Sequence, residues 1–252
     1  MNKIKQNYYG SLCTEMYEIL HEKAPQDELD FYLSYAKPGD KILEVLCGSG
    51  RFLVPFLNQG FHIFGIDLSS EMLSKLKEKE PGAKFVQADI LEYSSREKYD
   101  YIFISSSSVS LFTNIELCMK VLEKIKGMLT HNGKFVFAVD TITNKLANDD
   151  DYRVTVSVKT KEDCELILKS KNYYDEQSQT QFSPGIYELY NDKKELLQRE
   201  SMDFQTHLYK FGEMEQYLKE IGFANVKTYS SFSKDIAVDD KCEMFLFECS
   251  IF

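Results

Sequence analysis

The stretch Lys41-Ile42-Leu43-Glu44-Val45-Leu46-Cys47-Gly48-Ser49-Gly50-Arg51 decides the fold. An apolar strand carrying one acid runs into a glycine-rich turn, and Phe52, Leu53, Phe56 and Leu57 continue with helical spacing. Glycine lets a backbone come close to a ligand, and the first N–H groups of a helix have no partner within it. A strand, loop and helix of this kind bind a nucleotide-like ligand at the carboxyl edge of a parallel sheet. The loop does not suit a dinucleotide, because Leu53 stands where Gly-x-Gly-x-x-Gly has its third glycine. Glu44 precedes the glycines, where it repels a pyrophosphate and attracts a cationic ligand.

Outward from this stretch, Phe64-Gly65-Ile66-Asp67-Leu68-Ser69 and Phe85-Val86-Gln87-Ala88-Asp89-Ile90 read as second and third strands, each ending in an acid. Tyr99-Asp100-Tyr101-Ile102-Phe103-Ile104-Ser105 reads as a fourth strand, and the turn at Asn132-Gly133 with residues up to Asp140 as a fifth. Short apolar strands alternating with helices between residues 41 and 140 make a parallel sheet of βαβ units. Taken in order, these five motifs resemble the class I S-adenosylmethionine-dependent methyltransferases. The first motif of that family runs hydrophobic-hydrophobic-Asp/Glu-x-Gly-x-Gly-x-Gly, and residues 42–50 match it except at Leu46.

The resemblance implies S-adenosylmethionine as cofactor and gives the residues their roles. Asp67 takes the ribose hydroxyls. Asp89 and the backbone at Ile90 read the adenine edge. Gly48 and Gly50 cradle the methionine part, and Glu44 orients the loop or receives the ammonium group. Leu68 and Met72 flank ribose and adenine, and Leu46, Ser105 and Tyr17 complete the set.

Residues 4–36 read as helix in two pieces, broken at Ala24-Pro25. After Asp140 the rhythm changes. The segments 154–158, 164–168, 186–190 and 202–208 alternate with period two, which points to antiparallel hairpins. Residues 211–223 return to a helix ending at Gly222, and two strands close the chain. The expected fold is thus α/β: a Rossmann-like, mostly parallel sheet with helices on both faces and an appended antiparallel β lid. Residues 1–150 and 210–252 form the core, and 151–209 form the lid. An insertion at this place resembles the glycine N-methyltransferase type and the aminosugar N,N-dimethyltransferases. The run Ser105-Ser106-Ser107-Ser108-Val109-Ser110-Leu111 is similar to their Ser-Ser-Val-Gly loop, and Tyr8-Tyr9-Gly10…Tyr17 to their lid helix.

The formal net charge of −10 argues against a nucleic-acid partner, since neutralising a phosphate backbone needs clustered Lys and Arg. No apolar run approaches a membrane span, and Met1-Asn2-Lys3-Ile4-Lys5 leads into polar sequence and not into a signal peptide. The six cysteines form no CxxC pair and no metal-ligand spacing, so they read as free thiols in a reducing cytoplasm. Serines after the fourth strand replace both the Asn/Asp-Pro-Pro-Tyr/Phe motif of DNA methyltransferases and the carboxylates that hold Mg²⁺ in catechol-type enzymes.

For the chemistry itself, Asp140 ends the fifth strand and is a candidate to hold an amine or act as base. His207 is a second candidate base. Tyr9 and Tyr17 are candidates to close over the sulfonium, because aromatic faces favour cations. The reading is methyl transfer to an N or O nucleophile of a small molecule by a cytoplasmic monomer or homodimer without metal. The alternatives are a protein- or tRNA-modifying methyltransferase and a non-catalytic cofactor-binding partner subunit.

Overall fold

A computed structural model describes residues 6–252. The leader reading of Met1–Lys5 and the start of the helical stretch at residue 4 lie outside the described residues. Residues 6–10 are not helical, and the first helix, α1 (Ser11–Leu20), begins after Gly10. Helix α2 (Gln26–Leu33) follows Pro25. The parallel region then runs β1 (Lys41–Val45), α3 (Leu53–Asn58), β2 (His62–Asp67), α4 (Ser70–Lys79), β3 (Lys84–Gln87), β4 (Tyr99–Ile104), α5 (Ile115–Met128) and β5 (Leu129–Asp140). Seven strands follow: β6 (Arg153–Lys159), β7 (Glu165–Ser170), β8 (Tyr173–Asp175), β9 (Thr180–Phe182), β10 (Gly185–Tyr190), β11 (Leu196–Met202) and β12 (Gln205–His207). Helix α6 (Glu213–Ile221), β13 (Ala224–Tyr229) and β14 (Met244–Ser250) complete the chain.

The main sheet has the order β3-β2-β1-β4-β5-β14-β13. Strands β1 to β5 are parallel, and β14 is antiparallel to both β5 and β13. Its central strands are apolar on both faces because helices cover both. Along β4, Ile102 and Ile104 face a cluster with Val121, Leu122 and Ile125 of α5, while Tyr101 and Phe103 face one with Phe31 and Tyr32 of α2. The Tyr32 and Phe103 rings stack at 5.2 Å, and the Tyr32 hydroxyl donates to the Ile104 carbonyl at 3.1 Å. Buried tyrosines are admissible here because each finds an acceptor. Asn114 caps α5 by accepting the Leu117 N–H at 3.0 Å, and Gly222, with φ +85°, ends α6.

The strand order reverses at β1, with β2 on one side and β4 on the other, which opens a crevice beyond their carboxyl ends. Everything described below stands around that crevice. The alternating segments form two antiparallel sheets instead of one, β11-β10-β7-β6 and β12-β9-β8. The stretch 202–208, expected as a single strand, breaks at Asp203-Phe204. There the Asp203 carbonyl accepts the Asn7 N–H at 3.0 Å and the Phe204 carbonyl accepts the Ser183 N–H at 2.8 Å. At the base of the insertion, the Tyr209 N–H donates to the Asp140 carbonyl at 2.9 Å and the Ile142 N–H to the Tyr209 carbonyl at 3.1 Å. All six cysteines are free, and Cys13, Cys47, Cys118 and Cys249 are buried.

Candidate active site

The loop after β1 is held by β2. The Cys47 N–H donates to the Ile66 carbonyl at 3.0 Å, and the Gly48 N–H to the Asp67 carboxylate at 2.7 Å. Leu46 sits at φ +59°, a left-handed conformation that side chains disfavour. Gly48 has φ +52°, and a Cβ added there meets nothing within 4 Å, so its bare face opens on space. Gly50 differs: its Cβ would lie 2.4 Å from Leu76 Cδ1, so this glycine lets α4 pack against the loop.

That space is a groove of about 320 Å³. Of the residues picked out in the sequence, Tyr17, Leu46, Gly48, Asp67, Leu68 and Met72 line it, and Tyr9 joins them. The second carboxylate oxygen of Asp67 accepts the Ser69 N–H at 2.8 Å, and burial raises its pKa. Ser69 caps α4 by accepting the Met72 N–H, and its hydroxyl donates to the Tyr9 carbonyl at 2.7 Å. The Asn7 amide donates to the carbonyls of Leu111 and Gln205, both at 2.9 Å, so residues 6–9 line the groove. Asp89 and Ile90 are not lining residues. Asp89 is exposed and Ile90 buried just past Ala88, whose N–H donates to the Asp67 carbonyl at 2.9 Å.

Behind the loop stand two incompletely bonded groups. Glu44 is buried, and its Oε1 accepts the Ser105 hydroxyl at 3.1 Å while Oε2 has no partner. Burial pushes this carboxyl well above the usual carboxylate range. Arg51, which sequence reading passed over, has a buried Nε without a partner. Its guanidinium donates to the Ser106 hydroxyl and lies 5.6 Å from the Tyr17 ring centre. The Ser106 N–H donates in turn to buried Glu28 at 2.8 Å. Ser106 and Ser107 both have left-handed φ, +56° and +53°, so this serine run is a strained, anchored turn.

Beside the groove lies a second chamber of about 260 Å³, lined among others by Tyr9, Tyr17, Arg51, Ser107, Asp140 and Thr206. Burial pushes the Asp140 carboxyl up to about 6, against the lowering effect of a Ser107 hydrogen bond. Its backbone N–H donates to the Ser110 hydroxyl at 2.8 Å. Tyr9 and Tyr17 meet edge to face at 5.9 Å and stand between groove and chamber, lining both. His207 lines neither. It is buried, with Nε2 3.0 Å from a Glu213 carboxylate oxygen and Nδ1 3.1 Å from the Ser178 carbonyl, and it ties β12 to α6. A basic residue directly after the glycine loop was the available sequence signal for Arg51. Ser107 offered none, since its place depends on the turn.

Residues 42–133 match a family described as Methyltransferase domain. The match runs from β1 into β5, the part of the chain that carries the glycine loop and Asp67. The whole chain has the class I S-adenosylmethionine-dependent methyltransferase fold. It superposes on an S-adenosylmethionine-dependent methyltransferase from Clostridium acetobutylicum with TM-score 0.75 at 18% identity, covering 94% of this chain and 96% of that one. The sugar N-methyltransferase KedS8 from Streptoalloteichus gives TM-score 0.72 at 15% identity, covering 98% of each. In sequence, the chain is 28% identical over 148 residues to a malonyl-[acyl-carrier protein] O-methyltransferase from Ilyobacter polytropus, covering 57% of this chain and 53% of that protein. The chain spans about half the length of that relative and of another curated methyltransferase, from Bacillus subtilis. The Clostridium acetobutylicum protein depends on S-adenosylmethionine, and the residues of this chain suit that group. The open face of Gly48 leaves room for a ligand, and the unpartnered Glu44 Oε2 and Arg51 Nε match a zwitterionic amino-acid end.

Proposed function

We propose that this chain transfers a methyl group from S-adenosylmethionine to an amine nitrogen of a small molecule enclosed beneath the two antiparallel sheets. The cofactor, when bound, supplies a methyl group already activated on sulfur. The chain then has to hold, orient and exclude water. Asp67 accepts the ribose hydroxyls, and Leu68 and Met72 flank ribose and adenine. Glu44 and Arg51 take the ammonium and carboxylate of the methionyl end.

The observation that carries the reading is Asp140, a half-buried carboxylate held near pKa 6 in a chamber that shares Tyr9 and Tyr17 with the groove. A carboxylate oxygen there accepts an amine N–H, points the nitrogen lone pair toward the shared wall, and takes the proton the nitrogen sheds. His21, which also lines this chamber, has its pKa lowered by burial and by Arg51, so it is a weaker proton acceptor than an ordinary imidazole. The test is transfer of labelled methyl from S-adenosylmethionine to a panel of small amines, with tRNA and acyl carrier protein run alongside. Labelled amine supports the reading. Label found only on tRNA or protein overturns it.

A further inference from the structure

A third cavity, of about 240 Å³, opens between α1 and the sheet β11-β10-β7-β6. It shares Tyr9, Tyr17, His21 and Phe204 with the chamber at Asp140, so the two meet at one wall. Beyond that wall its surface is apolar: Met16 and Cys13 come from α1, Val156 and Leu168 from the sheet, and Met202 from the end of β11. Cys13 is held as a thiol, its pKa pushed up to about 12 mainly by burial.

Beyond that wall, the serine hydroxyls on this lining are already paired within the protein. The Ser170 hydroxyl lies 3.0 Å from that of Thr155, and the Ser183 hydroxyl donates to Asn172 at 2.7 Å. The buried polar atoms left without partners include Glu44 Oε2 and Arg51 Nε at the cofactor end, and none of them belongs to this cavity. No Lys or Arg lines it among the described residues. A phosphate or a nucleotide placed beyond the shared wall would give up hydration and find no Lys or Arg to compensate its charge, which is a severe penalty. An alkyl or aryl group would lose nothing and gain about 25 cal/mol for each Å² it buries.

Resting on the reading of Asp140 as the acceptor end, we infer that the methyl acceptor is an amine with an uncharged apolar body, which fills the cavity between α1 and the sheet. The volume, just under the lower end of ordinary ligand pockets at about 300 Å³, suits one ring or a short branched chain. Acceptors linked to a nucleotide are refused.

The probes are 4-phenylbutylamine and a thymidine-diphosphate-linked amino sugar, titrated calorimetrically into the full chain saturated with S-adenosylhomocysteine. Leu168→Lys and Val156→Lys, which each place an ammonium against the apolar body, are titrated in parallel. The expected result is that the phenyl amine binds the wild type and loses roughly tenfold or more in both variants, because a charge is set against an apolar group. Retained S-adenosylhomocysteine affinity, within about twofold, shows that a variant is folded. Val156, half-buried on edge strand β6, stands in if Leu168→Lys does not fold. No phenyl amine binding, equal binding in folded variants, or tighter binding of the nucleotide-linked sugar overturns the inference. Failure of the wild type to bind S-adenosylhomocysteine overturns the underlying methyltransferase reading instead.

Discussion

The carboxylate of Asp67, at the end of β2, accepts the N–H of Gly48 from the loop after β1 at 2.7 Å, and so fixes the loop whose open face forms the groove. With Ser69 on its other oxygen, this one side chain both shapes the site and waits for a ligand. Asp67→Ala is expected to weaken S-adenosylhomocysteine binding by about 2–4 kcal/mol, for two bonds to a charged group. From sequence alone, loss of a strand-end acid should change stability little, since such a side chain contributes little packing. The structure says otherwise, because two backbone N–H groups lose their partner, at about 1–3 kcal/mol where buried. Urea unfolding beside calorimetry separates the two effects, and Asp67→Asn should recover more of the stability than of the affinity.

Asp140 gives a pH dependence with a definite sign. Its folded pKa of about 6 lies above the ordinary 3.8. Between those values the folded chain keeps a proton that the unfolded chain has released, so this group's contribution to stability falls as pH rises through the window. Above about 6 it remains unfavourable, by at most about 3 kcal/mol. Asp140→Asn should therefore raise the unfolding temperature at pH 8 and leave it unchanged near pH 3.5. Methyl transfer should fall by about 10²-fold or more and lose its rise through pH 6. A variant that is stabilised at pH 8 yet keeps full turnover would assign Asp140 to the fold alone.

Leu46 reverses an ordinary ranking. At φ +59° a side chain costs about 1–2 kcal/mol, which glycine does not incur. Both Leu46→Gly and Leu46→Ala remove the same packing against the core beside it. Leu46→Gly should thus be the more stable of the two by about 1 kcal/mol, the opposite of what a regular helix or strand shows. Chemical denaturation of the pair reads this directly.

Helix α1 starts at Gly10, which has no side chain to cap it, and Glu200 of β11 does so from across the cavity. Its carboxylate accepts the Leu12 N–H at 3.1 Å and the Cys13 N–H at 3.4 Å. Glu200→Gln keeps the shape and halves the acceptors, and Glu200→Ala removes the cap, so stability should drop in that order, by about 0.5–2 kcal/mol for the alanine. High salt should narrow the gap between wild type and Glu200→Gln. Thermal unfolding at two ionic strengths measures both.

The parallel half of the fold was legible because its strands are buried on both faces and its turns carry fixed chemistry. The resemblance picked out Glu44, Gly48 and Asp67, and the fold gathers them at the loop after β1. Gly50 was placed correctly but for a ligand, whereas its φ and its nearness to Leu76 show a packing role. The two small sheets were read as one, because period two tells which side chains alternate but not which strands pair. Strands of three residues, such as β8 and β9, leave too short a pattern to see. Arg51, Glu28 and Ser107 come together only through a left-handed turn at Ser106, and nothing in a run of serines announces that conformation. His207 looked like a base because imidazole titrates near neutrality. Its neighbours Ser178 and Glu213, 29 residues before it and 6 after, decide that both nitrogens are engaged.

The chain leaves the main sheet at Asp140 and rejoins it at Tyr209, and one pair of backbone hydrogen bonds ties those two points together. Whatever hangs between them starts and finishes at the same spot, so its ends are brought together by the core and not by its own contacts. Lengthening such a loop is thermodynamically mild, about 0.6 kcal/mol for each doubling. The span from Ile142 to Leu208 can thus change length at little cost to the strands that carry Asp67 and Glu44, so long as Glu200 and Gln205 keep their bonds to α1 and Asn7.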